Sequence, residues 1–198
     1  MEEIKLDSFY SSYELNELGL ASFGENVLIS HKVSIYGAEK ISIGNNVRID
    51  DFCILSGKIT IGDYIHIAAY TALYGGDKGI IIQDFANLSS RTSIYSISDD
   101  YSGETMTNPM IPDKFKNIQS EEVIIERHVI IGSGCVVLPG VVLKEGSSFG
   151  AMTLVNRSSE SWSINAGIPF KKIKNRRKEL LKLEEIFLNE SEKMSSQI

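Results

Sequence analysis

The stretch Ser96-Ile97-Ser98-Asp99-Asp100-Tyr101-Ser102-Gly103-Glu104 sets two carboxylates side by side in a polar, turn-rich segment. A carboxylate can hydrogen-bond an ammonium group, orient it, and accept its proton directly or through water. Asp99 is the candidate for that contact, with Asp100 positioning it or capping the turn. The same residues also fit a plain surface loop in which Asp closes an Asx-turn ahead of Tyr-Ser-Gly, and both readings stay open at this point. Ser89 is a second candidate, able to hydrogen-bond an acceptor molecule or the acidic pair; its plainer reading is a corner serine satisfied by backbone. His31, His66 and His128 do not occupy comparable positions in the repeat described next. His66 and His128 are expected to face outward, His128 from a strand, and His31 lies far from the acidic pair. No group of His, Cys and carboxylate residues has metal-ligand spacing.

These residues are positioned by a hydrophobic ladder. Phe23, Ile29 and Ile35 are six apart, as are Ile43, Ile49, Leu55, Ile61, Ile67 and Leu73. Ile82, Leu88 and Ile94 follow, then Ile125, Ile131, Val137, Leu143, Phe149 and Val155. A hexapeptide period marks an all-β solenoid, the parallel β-helix. Taken in threes, the rungs make six triangular coils, beginning at Phe23, Ile43, Ile61, Ile82, Ile125 and Leu143. The breaks after Ile35, Leu73 and Ile94 then fall at one corner, where repeat proteins collect insertions, often on the binding face. The longest, 96–122, is read as an active-site loop. Cys53 and Cys135 each lie four residues after a rung, an offset elsewhere filled by Val27, Val47, Ile65 and Val129, so both are expected in the core. Gly24, Gly44, Gly62, Gly132 and Gly150 follow rungs and are expected to permit tight corners. Asn26, Asn45, Asn46 and Asp63 are turn formers beside them.

The organisation expected is an N-terminal helical segment over 1–20, a β-helix domain over 21–174 carrying the loop 96–122, and a C-terminal helix within 175–198. Ser11 and Glu14 fit a capping box, and Gly19 fits a helix stop. Asn175 to about Ser191 reads as a helix with Leu180, Leu183 and Phe187 on its apolar stripe. Ser195 to Ile198 is expected to fray. With 198 residues the chain suits one domain, and its net charge of −6 argues against a nucleic acid polymer as partner. Neither a signal peptide nor a membrane-spanning run is seen, so no membrane insertion is expected and the cytoplasm is the expected compartment.

The segments Val129-Ile-Ile-Gly-Ser-Gly-Cys-Val-Val-Leu-Pro-Gly-Val141, Phe149-Gly-Ala-Met-Thr-Leu-Val155 and Ala166-Gly-Ile-Pro169 resemble the hexapeptide-repeat acyltransferases, the family of galactoside, maltose and xenobiotic acetyltransferases. The resemblance covers roughly 23–174. It implies a left-handed coil, a homotrimer, and acyl transfer from acetyl-CoA or a longer acyl-CoA lying in a groove between subunits, with no metal. Carried over by position, Gly132 and Ser133 would meet the pantetheine arm, and the Ser133 amide would face the tetrahedral oxyanion. Ala151 would let the arm pass, Asn156 and Arg157 would lie near the adenine, and Lys171 and Lys174 near the nucleotide phosphates. The alternative for those lysines is a solvated helix start.

Relatives that acetylate sugar hydroxyls carry a histidine a few residues after a segment like Ile94-Tyr95-Ser96, and here Asp99 stands in its place. A hydroxyl needs a positioned base near the working pH, whereas an amine attacks a thioester once a neutral fraction exists. The departure therefore points to an amine acceptor on a nucleotide-linked amino sugar. Within the family the chain looks most like the dTDP-4-amino-4,6-dideoxyglucose N-acyltransferases, which serve surface polysaccharides. Met106 to Phe115, with Asn108-Pro109 and Ile111-Pro112, would shape the acceptor pocket. The competing readings are an O-acetyltransferase using another base, with His66 the one to test, or a non-catalytic β-helix assembly protein.

Overall fold

A computed structural model describes residues 8–195, and over them the chain winds into a left-handed parallel β-helix of about seven turns. The register is the one the hexad ladder predicts. On the first face Phe23, Ile43, Ile61, Ile82, Ile125 and Leu143 stack in line. On the second face Ile29, Ile49, Ile67, Leu88, Ile131 and Phe149 do so. On the third, Ile35, Leu55, Leu73, Ile94, Val137 and Val155 complete the triangle. Rungs fill the interior; only Phe23 and Ile35, in the first coil, are partly open. Each buried aliphatic rung contributes about 1.5–3 kcal/mol, and because each touches the coil above and below, a slip of one residue would expose a whole face. Cys53 and Cys135 are buried free thiols within this core.

The corners differ from expectation in one respect. Their glycines are needed for close approach between coils, not for unusual dihedrals: a Cβ on Gly132 would lie 2.7 Å from the Ala151 amide nitrogen and the Phe149 carbonyl oxygen. The left-handed backbone falls two residues later, on Asn26, Asn46, Tyr64, Phe85 and His128 at the first corner. Phe52, Tyr70, Arg91 and Met152 take it at the second. A ladder of side-chain acceptors supports the first corner, with Asp63 Oδ1 accepting from the Asn45 amide at 2.6 Å and Asp84 Oδ1 from the Asp63 amide at 2.9 Å.

Helix α1 (Ser12–Glu17) closes the N-terminal end, with both halves of the Ser11/Glu14 capping box formed. Residues 1–7 of the expected N-terminal segment lie outside the described residues. The C-terminal boundary is corrected. Lys171–Asn175 is an antiparallel strand on Ser163–Ala166, and helix α2 runs from Leu180 to Ser195, later than expected. Ser163–Ala166 continues the second face, and its outer edge would stay unpaired without the returning strand. Of the expected frayed end, 196–198 lie outside the described residues. His128 is also corrected: it is in a corner turn, not a strand, and it is buried beneath α2, where Nε2 meets Glu184 Oε2 at 2.8 Å.

The third corner collects the insertions, as the ladder predicts. The loop 96–122 leaves and returns through a short antiparallel stem, Ile97–Ser98 against Gln119–Ser120. Ser96 anchors its base, with its hydroxyl donating to the Gly75 carbonyl and its amide to Tyr74. Gly76 has φ +50 and lies under Ile97, whose Cγ2 a Cβ there would meet at 2.3 Å. A side chain at 76 would push the stem away.

Candidate active site

The loop stem lifts residues 99–118 over the outer side of the third face, and a cavity of about 540 Å³ opens beneath it. Its floor is Tyr74, Tyr95 and Leu138, each one residue past a rung and therefore pointing outward. Tyr74 and Tyr95 stack with centroids 5.0 Å apart, and burial, then the neighbouring phenols, hold the Tyr74 hydroxyl above the usual tyrosine range. Asp99 lines this cavity together with Ser98, Asn108 and Lys116. The volume suits a small-molecule ligand.

The two carboxylates of the pair do different things. Asp100 accepts from the Ser102 amide at 2.8 Å, and from the Thr105 amide and hydroxyl at 3.1 and 2.8 Å. The Ser102 hydroxyl and amide, then Thr105, pull its carboxyl down to about 2. It is the cap of an Asx-type turn. The Asp99 carboxylate takes no hydrogen bond from the described residues, and the residue is exposed where it lines the cavity.

Ser89 lies elsewhere, at the second corner. Its carbonyl accepts from Thr92 Oγ1 at 2.8 Å, and its amide joins the coil ladder to Ile131. Next to it Ser90 Oγ and Ser133 Oγ approach to 3.4 Å. The Gly132 amide donates to Phe149, and Ala151 is exposed on the coil above. Lys171, opposite Ala166, stands near the same corner, and Lys174, opposite Ile164, further back along that strand. Asn156 and Arg157 follow the last rung of the third face, on the side of the loop, where Arg157 donates to the Phe170 carbonyl and covers its ring at 4.4 Å. One chain thus places Ser89, Gly132, Ser133, Ala151 and Lys171 at the second corner, while the loop with Asp99 and Asp100 leaves from the third, where Asn156 and Arg157 follow their rung two coils further on. The lysines lie on a strand, not on a helix start.

Among the histidines, His66 points outward from the second face and pairs with Asp50 Oδ2 at 2.8 Å. None of the three lines the Asp99 cavity. Among the described residues no group of three His, Cys, Asp or Glu could hold a metal ion, and no helix is long and apolar enough to cross a membrane. Tyr74, Tyr95 and Lys116 are site residues the sequence did not single out. The tyrosines had a signal, since each follows a third-face rung; Lys116 had none.

No family model matches the chain. Among curated proteins it is 51% identical over 183 residues to a dTDP-4-amino-4,6-dideoxy-D-glucose acyltransferase of Escherichia coli, covering 91% of this chain and 95% of that one. It is 28% identical to a putative lipopolysaccharide biosynthesis O-acetyl transferase of Escherichia coli, covering 71% of each. Among solved structures it is similar to AntD, an N-acyltransferase from Bacillus cereus in complex with dTDP and 3-hydroxybutyryl-CoA: TM-score 0.92, 53% identity, covering 94% of this chain and all of that one. Variants of AntD altered at one serine or one aspartate are similar to the same degree. The coil's hexad ladder and this identity over nearly the whole length lead to one conclusion: the chain belongs to the hexapeptide-repeat acyltransferases, in the family of the dTDP-4-amino-4,6-dideoxy-D-glucose acyltransferases.

Proposed function

We propose that this protein is a coenzyme A-dependent N-acyltransferase that acylates the amino group of a dTDP-linked amino-deoxysugar. The observation that carries the reading is the free Asp99 carboxylate in the loop cavity, with no histidine among its lining residues. That site suits an ammonium better than a hydroxyl, because a carboxylate is too weak a base to activate an alcohol readily. Relatives support the substrate class: variants of AntD altered at one serine have been solved with dTDP-4-amino-4,6-dideoxyglucose and coenzyme A. The serine and aspartate altered in its variants stand at the same sequence separation as Ser89 and Asp99.

In the mechanism, Asp99 holds the substrate ammonium and accepts its proton, directly or through one water. The neutral amine attacks the thioester carbonyl, forming the C–N bond. The Ser133 amide receives the developing oxyanion. Collapse breaks the C–S bond, and the proton lost by the newly bonded nitrogen passes to the departing thiolate, leaving an amide and free coenzyme A. Asp100 keeps the turn that aims Asp99. Ser89 holds the acceptor from the other edge. Gly132 lets the next coil pack close, and the small, exposed Ala151 on that coil leaves room for the pantetheine arm, with Lys171 and Lys174 available to its phosphates.

The two edges of one chain are separate, so this reading needs neighbouring copies to join them. The assembly is a homotrimer with the groove between subunits, which light scattering checks; a stable monomer would leave Asp99 without the Ser89 edge. The donor is an acyl-CoA, and 3-hydroxybutyryl-CoA, which AntD binds, is the first longer candidate. The place of action is the cytoplasm and the product serves surface polysaccharide. The test is thiol release from acetyl-CoA and 3-hydroxybutyryl-CoA with a dTDP-4-amino-4,6-dideoxy sugar and its 4-hydroxy counterpart. Release with the amine alone is expected; release with the hydroxyl sugar would move the reading to O-acylation.

A further inference from the structure

The 3₁₀ turn Asp113–Phe115 in the loop carries the chain into Lys116, whose amide donates to the Asp113 carbonyl at 3.0 Å. A backbone bridge between Met106 and Lys116, with the Met106 amide on the Phe115 carbonyl at 2.9 Å, fixes this position. The Lys116 side chain is only 6% exposed and lines the Asp99 cavity. Its ion pair is with Asp113, at 2.9 Å, which is itself 95% exposed. The pairing is lopsided. A lysine drawn out of water needs an anion that is also drawn in, and a carboxylate standing in solvent contributes little. Asp99, the other charge in the cavity, makes no ion pair with it among the described residues.

We propose that Lys116 receives a phosphate of the nucleotide sugar, so that one cavity binds the two charges of one substrate: ammonium on Asp99, phosphate on Lys116. This rests on the acceptor reading above. The amine of such a sugar and its diphosphate are held apart by one pyranose ring, so two opposite fixed charges under one loop orient the ring and select a nucleotide-linked amino sugar over a free one. Lys116 is a binding residue here, not a proton carrier.

The test measures dTDP and thymidine binding to the full-length protein by calorimetry, alongside turnover of the dTDP-amino sugar. Lys116→Met should weaken dTDP by roughly tenfold to a hundredfold, the loss typical of a charge-assisted contact. It should raise KM for the dTDP-amino sugar similarly, with kcat and the acyl-CoA KM little changed, and leave thymidine binding unaltered. Lys116→Arg should recover part of the loss. Asp113→Asn separates a merely structural lysine: if it reproduces the Lys116→Met defect, the lysine acts by holding the loop and the proposal falls. If the wild type binds dTDP and turns over the sugar while Lys116→Met binds dTDP equally well, the phosphate assignment alone is wrong. If the wild type neither binds dTDP nor turns over the sugar, both readings fail together.

Discussion

The first and third corners of the coil are used differently. Each has an outward aromatic pair stacked at 5.0 Å beside it, Tyr64 on Phe85 in the left-handed turn of the first and Tyr74 on Tyr95 in the strands that lead into the third. At the first corner the chain's own helix packs against the pair, beside a cavity of about 420 Å³. Phe187 meets Tyr64 and Phe85 edge-on, and Glu184 binds both Arg127 and His128. Arg127 also reaches Asp84, and Arg176, its charge disfavoured by burial, donates to the His128 and Gly146 carbonyls. At the third corner the covering segment arches over the pair and leaves a cavity with a free carboxylate. Polar groups satisfied by the protein itself contribute to stability; polar groups left for a visitor contribute to binding.

This contrast can be broken most sharply at Asp99. Asp99→Asn should lower kcat roughly a hundredfold to ten-thousandfold, the range for loss of a positioned base, while acyl-CoA binding and thermal stability hold. Full turnover in that variant would mean the third corner is no more catalytic than the first. The converse substitution is Glu184→Ala. It leaves the buried His128 without its carboxylate and Arg127 with Asp84 alone, and should cost about 2–3 kcal/mol in urea unfolding, with kcat of the folded protein unchanged. A lost kcat at full folding would show that the corners are coupled.

A smaller effect separates the neighbours of the acidic pair. Asp100→Asn should lower turnover by less than about tenfold, because an amide keeps an acceptor oxygen for the turn. Its acid behaviour has a definite sign. The folded-state carboxyl lies near 2, below its unfolded value, so its contribution is present above about pH 4 and is lost as pH falls toward 2. Amide exchange at Ser102 and Thr105 should rise across that window in the wild type and not in Asp100→Asn. The smallest effect is a null result: burial pushes the Cys53 thiol up to about 11 and raises Cys135, so neither should react with a thiol reagent at pH 8 in the folded protein. Rapid labelling of either would contradict a closed core.

How much of this was legible depends on how local the signal is. The rungs were legible because burial repeats every six residues, and one repeat fixes the register of all three faces. The acidic pair was legible because two adjacent carboxylates break the pattern at a corner that already collects insertions. His128 was not, since its burial comes from a helix far along the chain, and its turn conformation is shared by Tyr64 and Phe85, which no turn propensity predicts. The strand at Lys171–Asn175 was missed because its run of lysines resembles a helix start; the open edge of Ser163–Ala166 outweighs that propensity. Arg157 was expected near the adenine, yet its own chain holds it on Phe170. Lys116 had no signal because its burial depends on how the loop folds on itself.

The base of the loop has one more consequence. The Glu121 amide donates to the Ser96 carbonyl at 2.9 Å, so the excursion begins and ends at nearly the same point, and Val123 resumes the ladder opposite Ile80. Closing a longer or shorter segment there costs only a logarithmic change in entropy, and no rung has to move. The coil is therefore a chassis and the loop a cartridge: on the proposed reading, transplanting 97–120 as a unit between relatives is expected to exchange acceptor preference without disturbing the coil.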